Sequence, residues 1–132
     1  MRILLFLVLA LCSCKDYKPP VKTCVAGIYS GEDSALNVYD KYGAKMFGKC
    51  VKIQKNEDGI HYFLDKQLEQ IGEDIFKFDY TTRTDFGVGL DSDIHFIRRT
   101  GTLTFNSNRV EIEYSVGDTC SQMSHFKFSG WR

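Results

Sequence analysis

The chain of 132 residues has few prolines, a single tryptophan and no excess of either charge. Both prolines, Pro19 and Pro20, lie near the N-terminus, so proline interrupts no segment beyond residue 20. Without the first 13 residues, the chain carries 16 basic and 17 acidic side chains, and no basic patch emerges. This balance argues against nucleic acid as a partner.

Motifs for catalysis and for cofactor binding are also missing. The sequence has no C-x-x-C, which argues against a thioredoxin-like redox site or a zinc knuckle. It has no Ser-His-Asp arrangement, glycine-rich phosphate loop or His-Glu-x-x-His spacing. Asp91, Asp93 and His95 would share one face of a strand, but no further metal ligand accompanies them, so we interpret them as a solvated face opposite Ile94 and Phe96. We expect a protein that is not an enzyme and uses neither metal nor cofactor.

Long hydrophobic runs are absent except at the N-terminus, where Ile3–Leu11 follows Arg2. As a helix this run covers roughly half of a ~30 Å hydrocarbon core, so it fits the apolar part of a secretory signal better than a membrane span. The next residues, Leu11-Cys12-Ser13-Cys14, resemble the lipobox of bacterial lipoproteins. The resemblance implies that residues 1–13 are a signal peptide and that Cys14 is lipidated and anchors the protein to a membrane.

Residues 14–23 are expected to be a lipidated cysteine followed by a tether, and residues 24–132 to be one β domain. Three lysines and the two prolines leave the tether little to bury. Lys15 stands where lipoproteins retained in the inner membrane carry aspartate, so the resemblance points to the outer membrane. Both the periplasmic and the surface face stay open.

Three cysteines, Cys24, Cys50 and Cys120, remain after loss of Cys12 and lipidation of Cys14. The compartment is oxidising enough for a disulfide to persist. We favour Cys24–Cys120, because these residues begin the first and last predicted strands, which would be neighbours in a closed meander. Cys24–Cys50 is the alternative.

Alternating apolar and polar residues predict short antiparallel strands throughout the domain. The clearest are two hairpins, one around Asn56–Gly59 and one around Asn106–Asn108. The first predicted strand, Cys24–Ser30, ends at a turn over Gly31–Ser34. Other predicted strands are 36–39, 74–80, 93–98 and 120–128. The chain is thus predicted to be all-β, a single antiparallel meander of about eight strands forming a small barrel or sandwich.

Two segments do not follow this pattern. Asp65–Gly72 has Leu68 and Ile71 three residues apart, which is compatible with one or two helical turns. Thr81–Ser92 is polar and contains glycines, and it is predicted to be a loop. Apolar residues in this loop and in the Tyr39–Met46 connection are candidate contacts for a ligand or partner: Phe86, Val88, Leu90, Tyr39 and Tyr42.

Gly27-Ile28-Tyr29-Ser30-Gly31, Val51-Lys52-Ile53 and Phe128-Ser129-Gly130 together resemble the small lipocalin-like lipoproteins of Bacteroidota. The resemblance implies a lipocalin-like barrel. We expect a non-enzymatic outer-membrane lipoprotein that binds a small apolar ligand, held in a cavity reachable from one barrel end, or a protein partner. The alternative is a lysozyme-inhibitor-like or toxin-immunity lipoprotein that blocks an enzyme cleft. That alternative predicts a filled barrel and a projecting loop.

Overall fold

A computed structural model describes residues 25–39, 44–86, 93–119 and 122–132, with residues 86 and 93 described by their backbone alone. This part of the chain forms nine strands and contains no helix that could cross a membrane. The strands are β1 (Gly27–Asn37), β2 (Cys50–Lys55), β3 (His61–Phe63), β4 (Lys66–Gln67), β5 (Glu69–Gly72), β6 (Ile75–Phe86), β7 (Asp93–Asn106), β8 (Arg109–Asp118) and β9 (Ser124–Trp131).

The strands form one antiparallel sheet that is nearly closed into a barrel, as the all-β prediction expects. Neighbouring strands are mostly consecutive in the chain, and the sheet order is β4-β3-β2-β1-β9-β8-β7-β6-β5. The first and last strands pair, with Ser30 opposite Trp131 and Asn37 opposite His125. The two edge strands, β4 and β5, are separated by Leu68 alone. The barrel therefore comes close to closure where the chain passes directly from one sheet edge to the other.

Both predicted hairpins are confirmed. In the β2–β3 hairpin, Lys55 pairs with His61 and Ile53 with Phe63, around a turn whose Gly59 has a φ of 82°. Val51 and Ile53 point into the core, as their alternation predicts. In the β7–β8 hairpin Asn106 pairs with Arg109, so the turn is two residues long. These elements form as predicted because local turn chemistry and period-two burial agree.

The predicted turn at Gly31–Ser34 is wrong, because β1 continues through it to Asn37. Gly31 is not needed here for a bend. A Cβ on Gly31 would lie 1.8 Å from the Ser129 carbonyl oxygen, so this glycine allows β9 to approach β1 closely. Of the predicted strand 36–39, Leu36 and Asn37 are the end of β1, after a register irregularity between Ala35 and Asn37, and residues 38 and 39 follow the strand.

The helical turns predicted for Asp65–Gly72 are wrong, because the segment forms β4 and β5. Gln67 pairs with Tyr62 of β3, whereas Glu69 pairs with Lys77 of β6. Leu68 lies between them and is buried. Such a short segment has little helical stability of its own, so pairing with two strands decides its conformation.

The predicted loop at Thr81–Ser92 is wrong for residues 81–86, which extend β6, and residues 87–92 lie outside the described part of the chain. Each residue from Thr81 to Phe86 is paired with β7. β7 runs unbroken from Asp93 to Asn106, so it contains both the predicted strand 93–98 and the first arm of the predicted hairpin around Asn106–Asn108. Both faces of this extension carry polar residues. Period-two alternation of apolar and polar residues is therefore lost, although the backbone is a regular strand.

The barrel interior is layered, because inward side chains of β6 to β9 are paired across the ladders. One layer is apolar and buried throughout: Phe76, Leu103, Ile112 and Phe128. The next layer has a glycine among aromatic rings: Phe78, Gly101, Tyr114 and Phe126. The third is more polar: Tyr80, Arg99, Val116 and Ser124. The core is thus aromatic in the middle of the barrel and becomes polar toward one end.

Candidate binding site at the loop end of the barrel

The end of the barrel where β1, β6 and β8 finish and β2, β7 and β9 begin is called the loop end here. β1, which precedes one of the two predicted contact segments, and β6, which contains the first residues of the other, both finish at this end. Phe86 ends β6, pairing through its backbone with Asp93, and Val88, Leu90 and Tyr42 lie outside the described residues. Tyr39 is half-exposed, and its backbone N–H donates to the buried Ser124 Oγ at 3.0 Å. The described parts of the two segments therefore lie toward the same end of the barrel.

Phe47, in the connection between β1 and β2, fills the middle of the barrel. Its ring lies 5.7 Å from Phe63, 6.4 Å from Phe78, 5.1 Å from Tyr114 and 5.9 Å from Phe128, measured between ring centroids. All four contacts are edge-to-face, a geometry that contributes beyond the area buried. Phe47 thus occupies the space that a central ligand would need.

Two polar side chains hold the Phe47 segment in place. Asp33 Oδ2 accepts a hydrogen bond from the Phe47 N–H at 3.0 Å and from the Tyr114 hydroxyl at 2.5 Å. The Tyr114 oxygen accepts from the Met46 N–H at 2.9 Å. Burial is the larger cause, and the hydrogen bond to Asp33 the next, of a pKa for Tyr114 far above its ordinary value. The phenol therefore stays protonated and remains a donor. Asp33 is itself buried, and its Oδ1 has no hydrogen-bond partner within the described residues.

Toward the rim, the inner wall becomes polar on β6 and β7. Arg99 Nη1 donates to Thr82 Oγ1 at 2.7 Å, and the Arg99 guanidinium carbon lies 5.9 Å from the centre of the Tyr80 ring. The ammonium of Lys66, on β4, lies 4.7 Å from the same ring centre. Burial raises the pKa of Tyr80, and the positive charge of Arg99 partly opposes this effect. Two cations therefore lie close to one aromatic ring on the inner wall.

His95 also faces inward, contrary to the prediction of a solvated face. Its Nδ1 pairs with Asp118 Oδ2 across the β7–β8 ladder. The outward residues are instead Ile94 and Phe96, which are 42% and 50% exposed. The inward set of β7 includes Leu103, so His95 follows the parity of the core. No cluster of potential metal ligands is found among the residues with described positions.

A pocket, called the side pocket here, opens in the side of the barrel between β2 and the end of β3. Its volume is about 290 Å³. Its apolar lining is Met46, Phe47, Val51, Phe63 and Leu64. Cys50 also lines it and carries an exposed, free thiol. Cys14, the predicted lipidation site, and Cys24 and Cys120, the predicted disulfide pair, lie outside the described residues.

Sequence reasoning missed Phe47, Asp33, Lys66 and Arg99. A signal for Arg99 exists, because it has the same strand parity as Leu103 and Phe105, both of them core residues. A charged residue on the buried face of a strand is a candidate for function. Phe47 offers no such signal, because it lies in an irregular connection without periodicity.

Comparison of the chain with protein-family models, with curated proteins and with solved structures finds no match.

Proposed function

We propose that the protein is a non-enzymatic lipoprotein of the outer membrane that binds a protein partner through the loop end of its barrel. The packing of Phe47 against four aromatic rings carries this proposal. A barrel with its centre occupied in this way favours recognition at its rim over recognition in its middle. β1 and β6, whose ends adjoin or include the two predicted contact segments, finish at this same end of the barrel, and this supports the same surface.

Site-specific photo-crosslinking in the native host tests this surface. A photoreactive phenylalanine at Tyr39 places the probe at the loop end, and the same probe at Trp131 places it at the opposite end of β9. Both positions are large, exposed aromatics, so the substitution is comparable at each. We expect Tyr39 to yield one discrete crosslinked species and Trp131 not to yield it.

Equal crosslinking from both positions, or none from Tyr39 in the presence of the full envelope, would count against the loop end as the recognition surface. The identity of the crosslinked species distinguishes two forms of the proposal. A lytic enzyme or toxin whose activity the purified protein suppresses supports the inhibitor or immunity form. A partner whose activity is unaffected supports the binding module.

The membrane anchor is tested separately with Cys14→Ala. Loss of diacylglycerol removes the acyl chains that hold a lipoprotein stably in a bilayer. The variant is therefore expected to leave the membrane fraction, with Cys50→Ala as the matched control that stays there. A Cys14→Ala protein that partitions fully with membranes contradicts the lipoprotein proposal.

The side pocket favours a second candidate function, binding of a small apolar ligand. Its volume of about 290 Å³ is close to the lower bound of roughly 300 Å³ for ligand sites. Native mass spectrometry of protein purified from its own host tests this function. A small-molecule adduct that is released on unfolding supports it, and a bare mass supports the protein-partner function.

A further inference from the structure

We propose that Arg99, Lys66 and Tyr80 form a binding subsite for an oxyanion, a carboxylate or a phosphate group, on the inner wall at the loop end. The inference goes beyond the proposed function, because the subsite could bind either a free small anion or an acidic group on a protein partner.

Arg99 is a charged residue on the inner wall of the barrel. It lies on the inward parity of β7, paired with Tyr80 on one side and Val116 on the other. It contacts a neutral hydroxyl, that of Thr82, and an aromatic ring, that of Tyr80. Within the part of the chain that the structure describes, no carboxylate pairs with it. Partly buried charges are normally paired, so a missing negative partner points to a ligand that supplies it.

Arg98, the preceding residue, is a surface arginine that can be compared with Arg99. It points outward and forms a two-pronged pair with Asp79, Nε to Oδ1 at 2.9 Å and Nη2 to Oδ2 at 2.6 Å. Adjacent arginines on opposite faces of one strand thus differ in one respect. The outer guanidinium holds a carboxylate with Nε and Nη2, whereas the inner one donates from Nη1 to Thr82 and pairs with no carboxylate among the described residues.

Lys66 adds a second positive charge to the same place. It reaches Tyr80 from β4, whereas Arg99 reaches Tyr80 from β7, on the other side of β6. The carboxylate nearest to Lys66, Asp65, is 3.9 Å away with a side chain that is 83% exposed, so solvent weakens this pair. Asp118, which faces the same interior, is paired with His95. The proposed subsite therefore places an anion beside Tyr80, where Lys66 and Arg99 both contribute positive charge.

An NMR titration of the full chain in detergent tests the subsite with inorganic phosphate and with acetate, at constant ionic strength adjusted with sodium chloride. We expect saturable shifts of the amide signals of Tyr80 and Arg99. A tighter response to phosphate assigns a phosphate group, and an equal or tighter response to acetate assigns a carboxylate. Shifts that do not saturate, or that spread evenly over the surface, would overturn the proposal.

Arg99→Gln is expected to weaken anion binding by about tenfold or more, because a hydrogen bond to a charged group is lost. Arg98→Gln is the matched control and is expected to bind as the unmodified protein does. Lys66→Gln is expected to weaken binding by roughly severalfold, and it keeps the proposal testable if Arg99→Gln does not fold. Equal affinities in Arg98→Gln and Arg99→Gln would overturn it.

The source of the anion is read from the Tyr39 crosslink. If Arg99→Gln abolishes the crosslink and Arg98→Gln preserves it, an acidic group of the partner occupies the subsite. If the anion binds and the crosslink is unchanged, the subsite serves a small anion. Absence of any crosslink refutes the proposed function alone, because the titration does not depend on it.

Discussion

Replacement of Phe47 by alanine is expected to lower the free energy of unfolding by about 2–4 kcal/mol. A buried Phe→Ala substitution costs about 3–5 kcal/mol through lost transfer energy and cavity formation. Phe47 is only partly buried, which reduces the lost transfer energy. Water can also enter part of the vacated volume from the neighbouring pocket. In the other direction, four edge-to-face contacts are lost, and such pairs contribute about 0.5–1.5 kcal/mol each.

Urea unfolding followed by far-ultraviolet circular dichroism measures this loss. The single tryptophan, Trp131, is 61% exposed, so its fluorescence reports weakly on the core. For a domain of this size, 1 kcal/mol corresponds to roughly 4 °C in melting temperature. The variant is therefore expected to melt about 8–16 °C below the unmodified protein.

Phe96→Ala is the matched control, because Phe96 is an exposed phenylalanine on the outer face of β7. Its effect is expected to stay within about 0.5 kcal/mol. Phe47→Leu should recover about half of the loss, because it refills volume without restoring the ring contacts. The reasoning is refuted if Phe47→Ala and Phe96→Ala destabilise equally, since Phe47 would then not be a core residue in solution.

Three further perturbations follow from the barrel interior. Gly101→Ala is expected to cost about 2 kcal/mol or more, because the new Cβ would lie 2.6 Å from the nearest side-chain atom, and urea unfolding measures it. Tyr114→Phe should cost about 1–3 kcal/mol and accelerate amide hydrogen exchange at Met46, whose N–H loses its acceptor. Burial, and then the charge of a nearby lysine, lower the pKa of His61 below 6.5. The unfolded chain therefore binds this proton first, and the stability present above about pH 6.5 is lost as the pH falls through the folded pKa. Urea midpoints at about pH 8 and about pH 5 should accordingly differ more in the unmodified protein than in His61→Gln.

Each of these predictions has a control in the chain. Gly72→Ala should change stability by less than about 1 kcal/mol, because its new Cβ would meet its nearest neighbour at 3.5 Å. Tyr62→Phe removes a hydroxyl with a long, exposed hydrogen bond of 3.4 Å and should leave exchange at Met46 unchanged. A His61→Gln variant with the same pH dependence as the unmodified protein would assign that dependence to other groups.

The parts of the fold that could be predicted are those where local and tertiary preferences agree. The β2–β3 hairpin combines an Asp-Gly turn with clean alternation, and β8 alternates from Arg109 to Val116. The prediction failed at Gly31 and at Leu68, where a distant strand decides. The glycine that suggested a turn makes room for the Ser129 carbonyl, and the leucine that suggested a helix joins the two sheet edges.

The candidate site was harder to predict for a related reason. Phe47 packs against residues from β3, β6, β8 and β9, and none of them is near it in the sequence. Asp33 looked like part of a polar turn, but it becomes a buried acceptor once β1 is recognised as continuing. Contacts of this kind have no periodicity to detect. They follow from the closure of the sheet, which depends on all of its strands at once.

The layers of the barrel interior differ in polarity, and the proposed anion subsite lies in the polar layer rather than in the apolar core. The middle layers consist of aromatic and aliphatic side chains that fill one another's space, with Phe47 closing the remaining gap. The layer at the rim places Arg99 and Lys66 beside Tyr80, where neither cation improves hydrophobic packing. Tyr80 gives each cation a cation–π contact, but two like charges near one ring also repel, and an anion bound beside the ring would reduce that repulsion. The proposed oxyanion subsite accounts for this placement, because a bound carboxylate or phosphate would supply the negative charge that Arg99 does not receive from the described residues.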